Sequence, residues 1–566
     1  MKRILRNIRK SKCRDAPDIP DDVNTVFKCT HLQYFNPTTE RFNISNDTTI
    51  SCKNIVLPSE HEIVLWKEYI GNKTWKAMQR SCVNGITKDC VVFVKTSHLL
   101  EPVQFLRGKY TCPSHPYLPQ DNMLLKSALQ KIYSSNNQAY VDNAANYILS
   151  RFRECGLTPH CTLYYGSMTG ISDEHTVSIS DEYASYRQCR WFWKGLRDCR
   201  ASIQLVKDGI DITNNDDMSY MLKCPCSDSS IIDISDSLVL QSSDKSETVS
   251  IHSICSYAID NDITEDSPTV VLGTNSRVTK VASETLSHSS SDSSDFNVLI
   301  KIPSMPVILI FQEAHEGTMD SLLELDHIND IIRDSKEWTR MWTAWLWQIV
   351  ATLSFLQRVI SFTHNDLHTN NLMWRTTAKK YLYYKSTSGT IWKVPTYGKI
   401  FSIIDFGRSI FRFGEQLWVS DDHWPEQDAG GQYNFGPFFD PSKPRINPNP
   451  SFDLCRLAIS MVDGLFRVRP PSKKGNNVKI MSKEGKWKIK ETINPLFNTL
   501  WRWMMDDTGK TIYEDKNGTE RHSGFELYIQ IAHKVHRCIP NEQLNIPLFN
   551  RFIYKGKTYK KTVYPV

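Results

Sequence analysis

Three oxygen-bearing side chains in this chain have types and spacings that suit phosphoryl transfer from a nucleoside triphosphate. The stretch Phe362-Thr363-His364-Asn365-Asp366-Leu367-His368-Thr369-Asn370-Asn371-Leu372 has the frame H-x-D-L-x-x-x-N, and Ile403-Ile404-Asp405-Phe406-Gly407 follows with the triplet D-F-G. In such a pair the first aspartate, Asp366, accepts the hydroxyl proton of an incoming acceptor. Five residues on, the amide oxygen of Asn371 can ligate one Mg²⁺, and the carboxylate of Asp405 can take the ion bridging the outer phosphates of ATP. One Asp beside one Asn would mean little. Three such groups, each preceded by a short apolar run, point to a shared ATP and Mg²⁺ site, with His364 opening the frame as a supporting residue.

Other elements must position these groups. The run Val91-Val92-Phe93-Val94-Lys95 reads as a strand, and because alternate side chains share a face, Lys95 can reach a cleft and hold the inner phosphates. Upstream, Tyr69-Ile70-Gly71-Asn72-Lys73-Thr74 is a strand entering a turn, with Gly71 the one glycine in the place of a phosphate loop. Few glycines mean few close backbone N–H groups for phosphate.

A helix is expected over Gln138–Cys155, stopped by Gly156, with Gln138, Val141, Ala145, Ile148 and Phe152 on one face. Gln138 is the inward polar group there. Asp142 falls one step off that face and Glu154 near the helix end, so the partner of Lys95 stays open. A strand is expected over Thr158–Gly166. The apolar run Val307–Phe311 suits a buried strand. Next, the backbone of Gln312 and Ala314 is expected to bond the adenine edge, with Phe311 closing the rear of the pocket.

The helix Trp338–Val359 is core and delivers the chain to His364. Met373–Lys399 reads as an extended hairpin. Ser451 is the expected N-cap of an apolar helix through Val462, with Asp453 in its first turn, where an aspartate is ordinary. Further helical pieces are expected near Asn494–Met505 and Glu526–Cys538.

A chain of 566 residues exceeds one small domain, and a net charge of +6 at this length does not argue for nucleic acid. The dense basic run from Lys2 to Arg14 is the only place where a nucleic-acid contact is expected, and a solvated tail has the same composition. No secretory signal is read, because that basic start precedes no apolar core. The most apolar long segment, Trp345–Phe362, carries Gln348, Gln357 and Arg358 and suits a buried helix, so no transmembrane segment is expected. The 15 cysteines are thinly spread and Cys224-Pro-Cys226 has no second pair at a zinc-like distance, so the thiols are read as reduced and the compartment as intracellular. From Cys224 to Asp295 the composition turns to Ser, Asp and Thr, with too little apolar surface to order itself.

With these residues laid out, the chain resembles the protein-kinase superfamily as a divergent member, and is most similar to the predicted serine/threonine kinases of giant nucleocytoplasmic DNA viruses. The matching stretches are His364–Asn371, Val394–Ile400, Ile404–Arg408 and Asn449–Leu454. The resemblance implies an α+β, bilobal kinase-like fold, and it gives Asp453 the role of a buried aspartate that accepts backbone hydrogen bonds from the 364–371 loop. Residues 1–50 would form a basic tail and extension, 51–317 a β-rich small lobe with a largely disordered insertion at 224–295, and 318–566 an α-rich large lobe. It implies an Mg-ATP-dependent protein serine/threonine kinase acting on a hydroxyl-bearing protein, in the host cytoplasm or the virion if the chain is viral. Two departures bear on mechanism. Asn365 stands where many regulated kinases keep the arginine that reads a phosphate on the activation segment, so independence from phosphorylation at Ser409 and Ser420 is expected. His368 replaces a lysine beside the transferred phosphate, as in small-molecule kinases of the aminoglycoside and choline type. Such a small-molecule kinase, with Met373–Lys399 closing over the acceptor, is one alternative. A catalytically weak scaffold is the other, suggested by the sparse glycine loop and the missing helix glutamate.

Overall fold

The computed structural model describes residues 14–15, 21–42, 55–57, 59–110, 123–180, 182–215, 218, 220–224, 296–482, 485–515, 518–556 and 562–566. Most of the basic N-terminal run and residues 225–295 of the Ser-rich insertion lie outside them. The fold is α+β as expected, with a curled antiparallel sheet in the first half and most of the helical mass in the second.

The sheet is made of β1 (Cys29–Gln33), β2 (His61–Gly71), β3 (Thr74–Ser81), β4 (Thr87–His98), β5 (Tyr164–Ser178), β6 (Ser202–Lys207) and β7 (Asn297–Glu313), with the two-residue strand Ile210–Asp211 against β6. Its order is β1-β5-β7-β4-β3-β2, with β6 paired to the start of β7. The β-branched run lies in β4, where Val92 and Val94 are buried on one face and Phe93 and Lys95 turn to the other. β7 is apolar enough to sit between two neighbours, pairing with β4 over Val307–Glu313 and with β5 along most of its length. That partner explains why β5 runs from Tyr164 to Ser178, starting later and ending well past the expected Gly166. The polar residues after Gly166 carry little strand signal of their own and are recruited by the long apolar β7.

Between β4 and β5 come a short helix over Pro102–Leu106 and two longer ones, α1 (Met123–Tyr133) and α2 (Gln138–Glu154). The Asn137 side chain caps α2 by accepting the Ala139 N–H at 3.0 Å, and Gly156, at φ +69°, turns the chain away. The second half is built on α3 (Lys336–Ile360), capped by Ser335 at one end and closed by Ser361 in the left-handed conformation at the other. Trp342, Trp345 and Trp347 on this helix are fully buried. The rest of this half contains β8 (Leu372–Thr376), β9 (Tyr381–Lys385), β10 (Ile391–Pro395), β11 (Lys399–Ile403), α4 (Phe452–Leu465), α5 (Pro495–Trp503), α6 (Phe525–Lys534) and β12 (Val563–Pro565).

The extended hairpin expected over Met373–Lys399 is present: β8 pairs with β11, the Thr377 N–H to Gly398 and Thr396 N–H to Lys380 bonds carry the pairing on, and β9 pairs with β10, with β12 added to β9 in parallel. One expectation changes here. Ser451 precedes α4 without capping it, and its Oγ instead accepts the Cys538 N–H at 3.2 Å. Every described cysteine is a free thiol. Among the described residues no helix is long and apolar enough to cross a membrane.

His160 joins the segment after α2 to the second half. Its Nδ1–H donates to the Phe401 carbonyl of β11 and its Nε2 accepts from the Tyr384 hydroxyl of β9, both at 2.8 Å. Burial pushes its pKa down to about 3, so the folded chain keeps it neutral. The unfolded imidazole titrates near 6.5, so between about pH 6.5 and 3 the unfolded chain takes up a proton that the folded one refuses, and stability falls with pH. The limiting slope for one such group is about 1.4 kcal/mol per pH unit. In His160→Gln, urea midpoints followed from pH 7.5 to pH 5 should decline less steeply than in the parent protein.

Candidate active site

The loop after α3 is fixed mainly by backbone bonds. Thr363 and Ile410 exchange N–H and C=O at 2.8 and 2.9 Å, tying the start of the loop to the chain beyond D-F-G. The buried carboxylate of Asp453, in the first turn of α4, accepts the N–H of His364 at 2.9 Å and of Asn365 at 2.9 Å. His364 Nε2–H donates to the Ile404 carbonyl at 2.8 Å. At the far end of the loop the Ile404 N–H donates to the Asn371 carbonyl at 3.1 Å, continuing the ladder in which Leu372 faces Ile403. Asn371 and Asp405 are therefore neighbours across two strands, although 34 positions separate them in the chain. The Asn371 amide donates to the Asp366 carbonyl at 2.9 Å and to His368 Nε2 at 3.1 Å. Burial lowers the His368 pKa. This imidazole thus orients Asn371 as a neutral acceptor and does not stand in for a lysine charge.

Lys95 completes the group. Its Nζ lies 2.7 Å from Asp142 Oδ2 and 2.9 Å from Asp405 Oδ1. The partner left open by the sequence is Asp142, and Gln138 does not approach Lys95. One turn of helix separates the two residues, with Asp142 about 40° further round the axis. That rotation carries Asp142 inward against β4, while Gln138 stays over the D-F-G turn, where a Cβ on Gly407 would lie 3.0 Å from its Cγ. The second Asp142 oxygen accepts the Phe406 N–H at 2.8 Å.

Burial alone would depress the Lys95 ammonium, but the two carboxylates outweigh it and hold its pKa above the ordinary lysine range. The Lys95 charge in turn holds the Asp405 carboxyl down at about 2. Asp142 moves the other way, raised by burial against the pull of Lys95. Asp405 takes the left-handed backbone (φ +64°), rare for a residue with a side chain and typical of constrained sites. Its side chain is 51% exposed and that of Asp366 27%, against 3% for Asp142. The first two open to solvent, while Asp142 is a buried strut.

The adenine-side expectations fare differently. Ile310 stands opposite Lys95 and Gln312 opposite Phe93, so these share the Lys95 face. Phe311 is opposite Val94 and points to the other face, where it packs on Phe27 (5.6 Å between centroids) and Trp66 (5.1 Å). It does not close the rear of a pocket beside Lys95; strand alternation forbids it. The Ala314 N–H is taken by the Val91 carbonyl at 3.2 Å and Gln312 lies within both flanking ladders, so these backbone groups are largely committed to the sheet. Gly71 (φ +100°) flanks a two-residue hairpin turn in which Asn72 and Lys73 both have positive φ. It makes a tight β2–β3 tip and not a glycine-lined cradle.

Several residues of the site carried no motif signal. Arg408 Nε donates to Asp422 at 2.9 Å, and its Nη1 lies 4.0 Å from Asp366 Oδ2. Lys131 of α1 bridges Asp421 (2.6 Å) and Glu101. The Asn365 side chain donates to the Arg408 carbonyl at 2.9 Å and accepts from the Tyr433 hydroxyl at 2.8 Å. Arg408 directly follows D-F-G and could have been suspected, whereas Lys131 and Asp422 belong to stretches with no periodic or spacing cue.

Among the described residues, no group of three or more His, Cys, Asp or Glu side chains is placed to hold a metal. One carboxylate and one amide oxygen, from Asp405 and Asn371, form a hard-oxygen pair of the kind Mg²⁺ uses when phosphates and water supply the other ligands. A cavity of about 680 Å³ between Trp193, Leu196, Ile203 and Lys301 lies toward the opposite end of β7 from Ile310 and includes none of these groups. A scan against protein-family models gives no match for the chain, and a search of the curated proteins gives none either.

Asp453→Ala should leave two buried N–H groups without acceptors and cost about 2–6 kcal/mol of folding stability. Asp453→Asn, which keeps one acceptor oxygen, should cost less. Urea unfolding of the two variants checks the order.

Proposed function

We propose that this chain is an Mg-ATP-dependent phosphotransferase with a bilobal, protein-kinase-like fold, acting on hydroxyl groups of proteins. The observation that carries the reading is the contact of Lys95 with both Asp142 and Asp405, beside Asn371 and Asp366. A lysine on the third strand of a meander, paired to an acid on the next long helix and to the aspartate of D-F-G, is the arrangement that active phosphoryl-transfer sites require. Asp142 serves where a glutamate is usual. This answers the missing-glutamate argument for a scaffold. The sheet-rich first half and helix-rich second half, joined through Gln312–Met319, are consistent with two lobes about a cleft.

In this reading Lys95 holds the inner phosphates and Asp366 accepts the proton of the attacking hydroxyl, an assistance of about 10²–10⁴-fold. Asp405 and Asn371 hold Mg²⁺, which when bound offsets the charge on the transferred phosphoryl oxygens. His368 fixes the Asn371 amide so that its oxygen faces the cleft. A protein acceptor is preferred to a small alcohol because the Met373–Lys399 hairpin is held by the parallel pairing of β9 with β12 and is not free to fold over a small molecule.

The segment after D-F-G supports activity without phosphorylation. Its anchors are the carboxylates of Asp421 and Asp422, held by Lys131 and Arg408. Ser409 and Ser420 are fully buried, so neither hydroxyl is open to a modifying enzyme.

Mg²⁺ and ATP together should raise the melting temperature in a thermal-shift titration, as expected for a ligand that binds only the folded state. Asp405→Asn should remove the Mg²⁺-dependent part of that shift and abolish transfer of radiolabelled phosphate to a generic protein acceptor. Retained transfer in Asp405→Asn would refute the assignment. Protein stripped of phosphate by phosphatase should keep full activity; loss of activity would show that a phosphate is needed after all.

A further inference from the structure

Helix α6 brings to the site a side chain that lies in neither motif. The Tyr528 hydroxyl donates to Asp366 Oδ1 at 2.6 Å, and Arg456 Nε–H of α4 donates to the same hydroxyl at 3.1 Å. The phenol ring is held on several sides. Phe525 stacks on it at 5.3 Å and Phe452 leans against it at 5.8 Å. The Arg456 guanidinium lies 5.2 Å from the ring centre and that of Arg408 5.8 Å.

We propose that Tyr528 is the positioning residue for Asp366, acting in a chain Arg456–Tyr528–Asp366 that selects which carboxylate oxygen meets the acceptor hydroxyl. The proposal rests on the phosphotransferase reading above. An aspartate in a half-open crevice has two equivalent oxygens and two free torsions, and a base must present one lone pair within hydrogen-bond reach of the acceptor. With Oδ1 engaged by Tyr528, Oδ2 is the oxygen left for the substrate. Arg408, 4.0 Å from Oδ2, is already committed to Asp422 at 2.9 Å and does not block it. The Arg456 donation polarises the phenol and strengthens its own donation to the carboxylate. Burial and the neighbouring Asp366 both raise the Tyr528 pKa, so the hydroxyl keeps the proton it donates. As the acceptor oxygen bonds to the γ-phosphorus and the bond to the bridging oxygen of ADP breaks, the acceptor proton passes to Oδ2.

The test uses the full chain and Mg²⁺-dependent release of phosphate from γ-labelled ATP, with water as acceptor. Tyr528→Phe should lower kcat about 10- to 100-fold, the cost of losing a hydrogen bond to a charged group, with KM for ATP within about twofold of the parent. 3-Fluorotyrosine at position 528, which keeps the O–H, should restore kcat. In an Asp366→Asn background Tyr528→Phe should cost nothing further, because its effect passes through Asp366. Undiminished or raised turnover in Tyr528→Phe would overturn the proposal, the raised rate marking Tyr528 as a plug in the acceptor seat. Full additivity with Asp366→Asn would overturn it too, by making the role purely structural. Turnover that Asp405→Asn abolishes and Tyr528→Phe leaves intact defeats the relay alone. No Mg²⁺-dependent turnover in the parent protein defeats both it and the phosphotransferase reading.

Discussion

The carboxylate of Asp142 is the point on which the arrangement depends. One oxygen meets the ammonium of Lys95 on β4; the other accepts the backbone N–H of Phe406. A buried charge is tolerated only when paired and hydrogen-bonded, and breaking such a pair typically costs about 3–5 kcal/mol. The sheet, α2 and the D-F-G turn therefore cannot separate without exposing an uncompensated charge in the interior. Asn146, one turn further along α2, donates to the same carboxylate at 3.1 Å and fixes its rotation.

A second set of carboxylates governs the chain beyond D-F-G. Asp421 and Asp422 answer Lys131 and Arg408, and the Gln138 N–H at the start of α2 also reaches Asp421 at 3.2 Å. These contacts couple the segment to the same helix that carries Asp142. Asn365 fits this scheme. An arginine there would need an anion to face, whereas the amide is satisfied by the Arg408 carbonyl and the Tyr433 hydroxyl.

How much of this was legible beforehand followed from how local each signal is. Asp366, Asn371 and Asp405 stood at fixed spacings, and the strand around Lys95 and the helix Gln138–Glu154 announced themselves by periodicity and by the glycine that follows the helix. Asp453 was readable only through the resemblance, because an aspartate in the first turn of a helix is ordinary by itself. Asp142 was left undecided against Gln138 over a 40° rotation, since a helical wheel cannot tell which of two adjacent directions a facing strand will occupy. Phe311 failed by one position in a strand, and a shift of one residue reverses the face of every side chain. Tyr528 was out of reach altogether, being 162 residues from Asp366 and linked to it only through tertiary packing. The Met373–Lys399 hairpin was legible from its paired aromatic positions, but the parallel addition of β12 to it was not, since no local pattern could name so distant a partner.

The choice of aspartate over glutamate at position 142 has a geometric corollary. With one methylene fewer, about 1.5 Å of reach is lost, and the helix axis must ride correspondingly closer to the strand bearing Lys95. A short tether of this kind leaves little slack for α2 to swing away from β4 while Lys95 and Asp142 stay in contact.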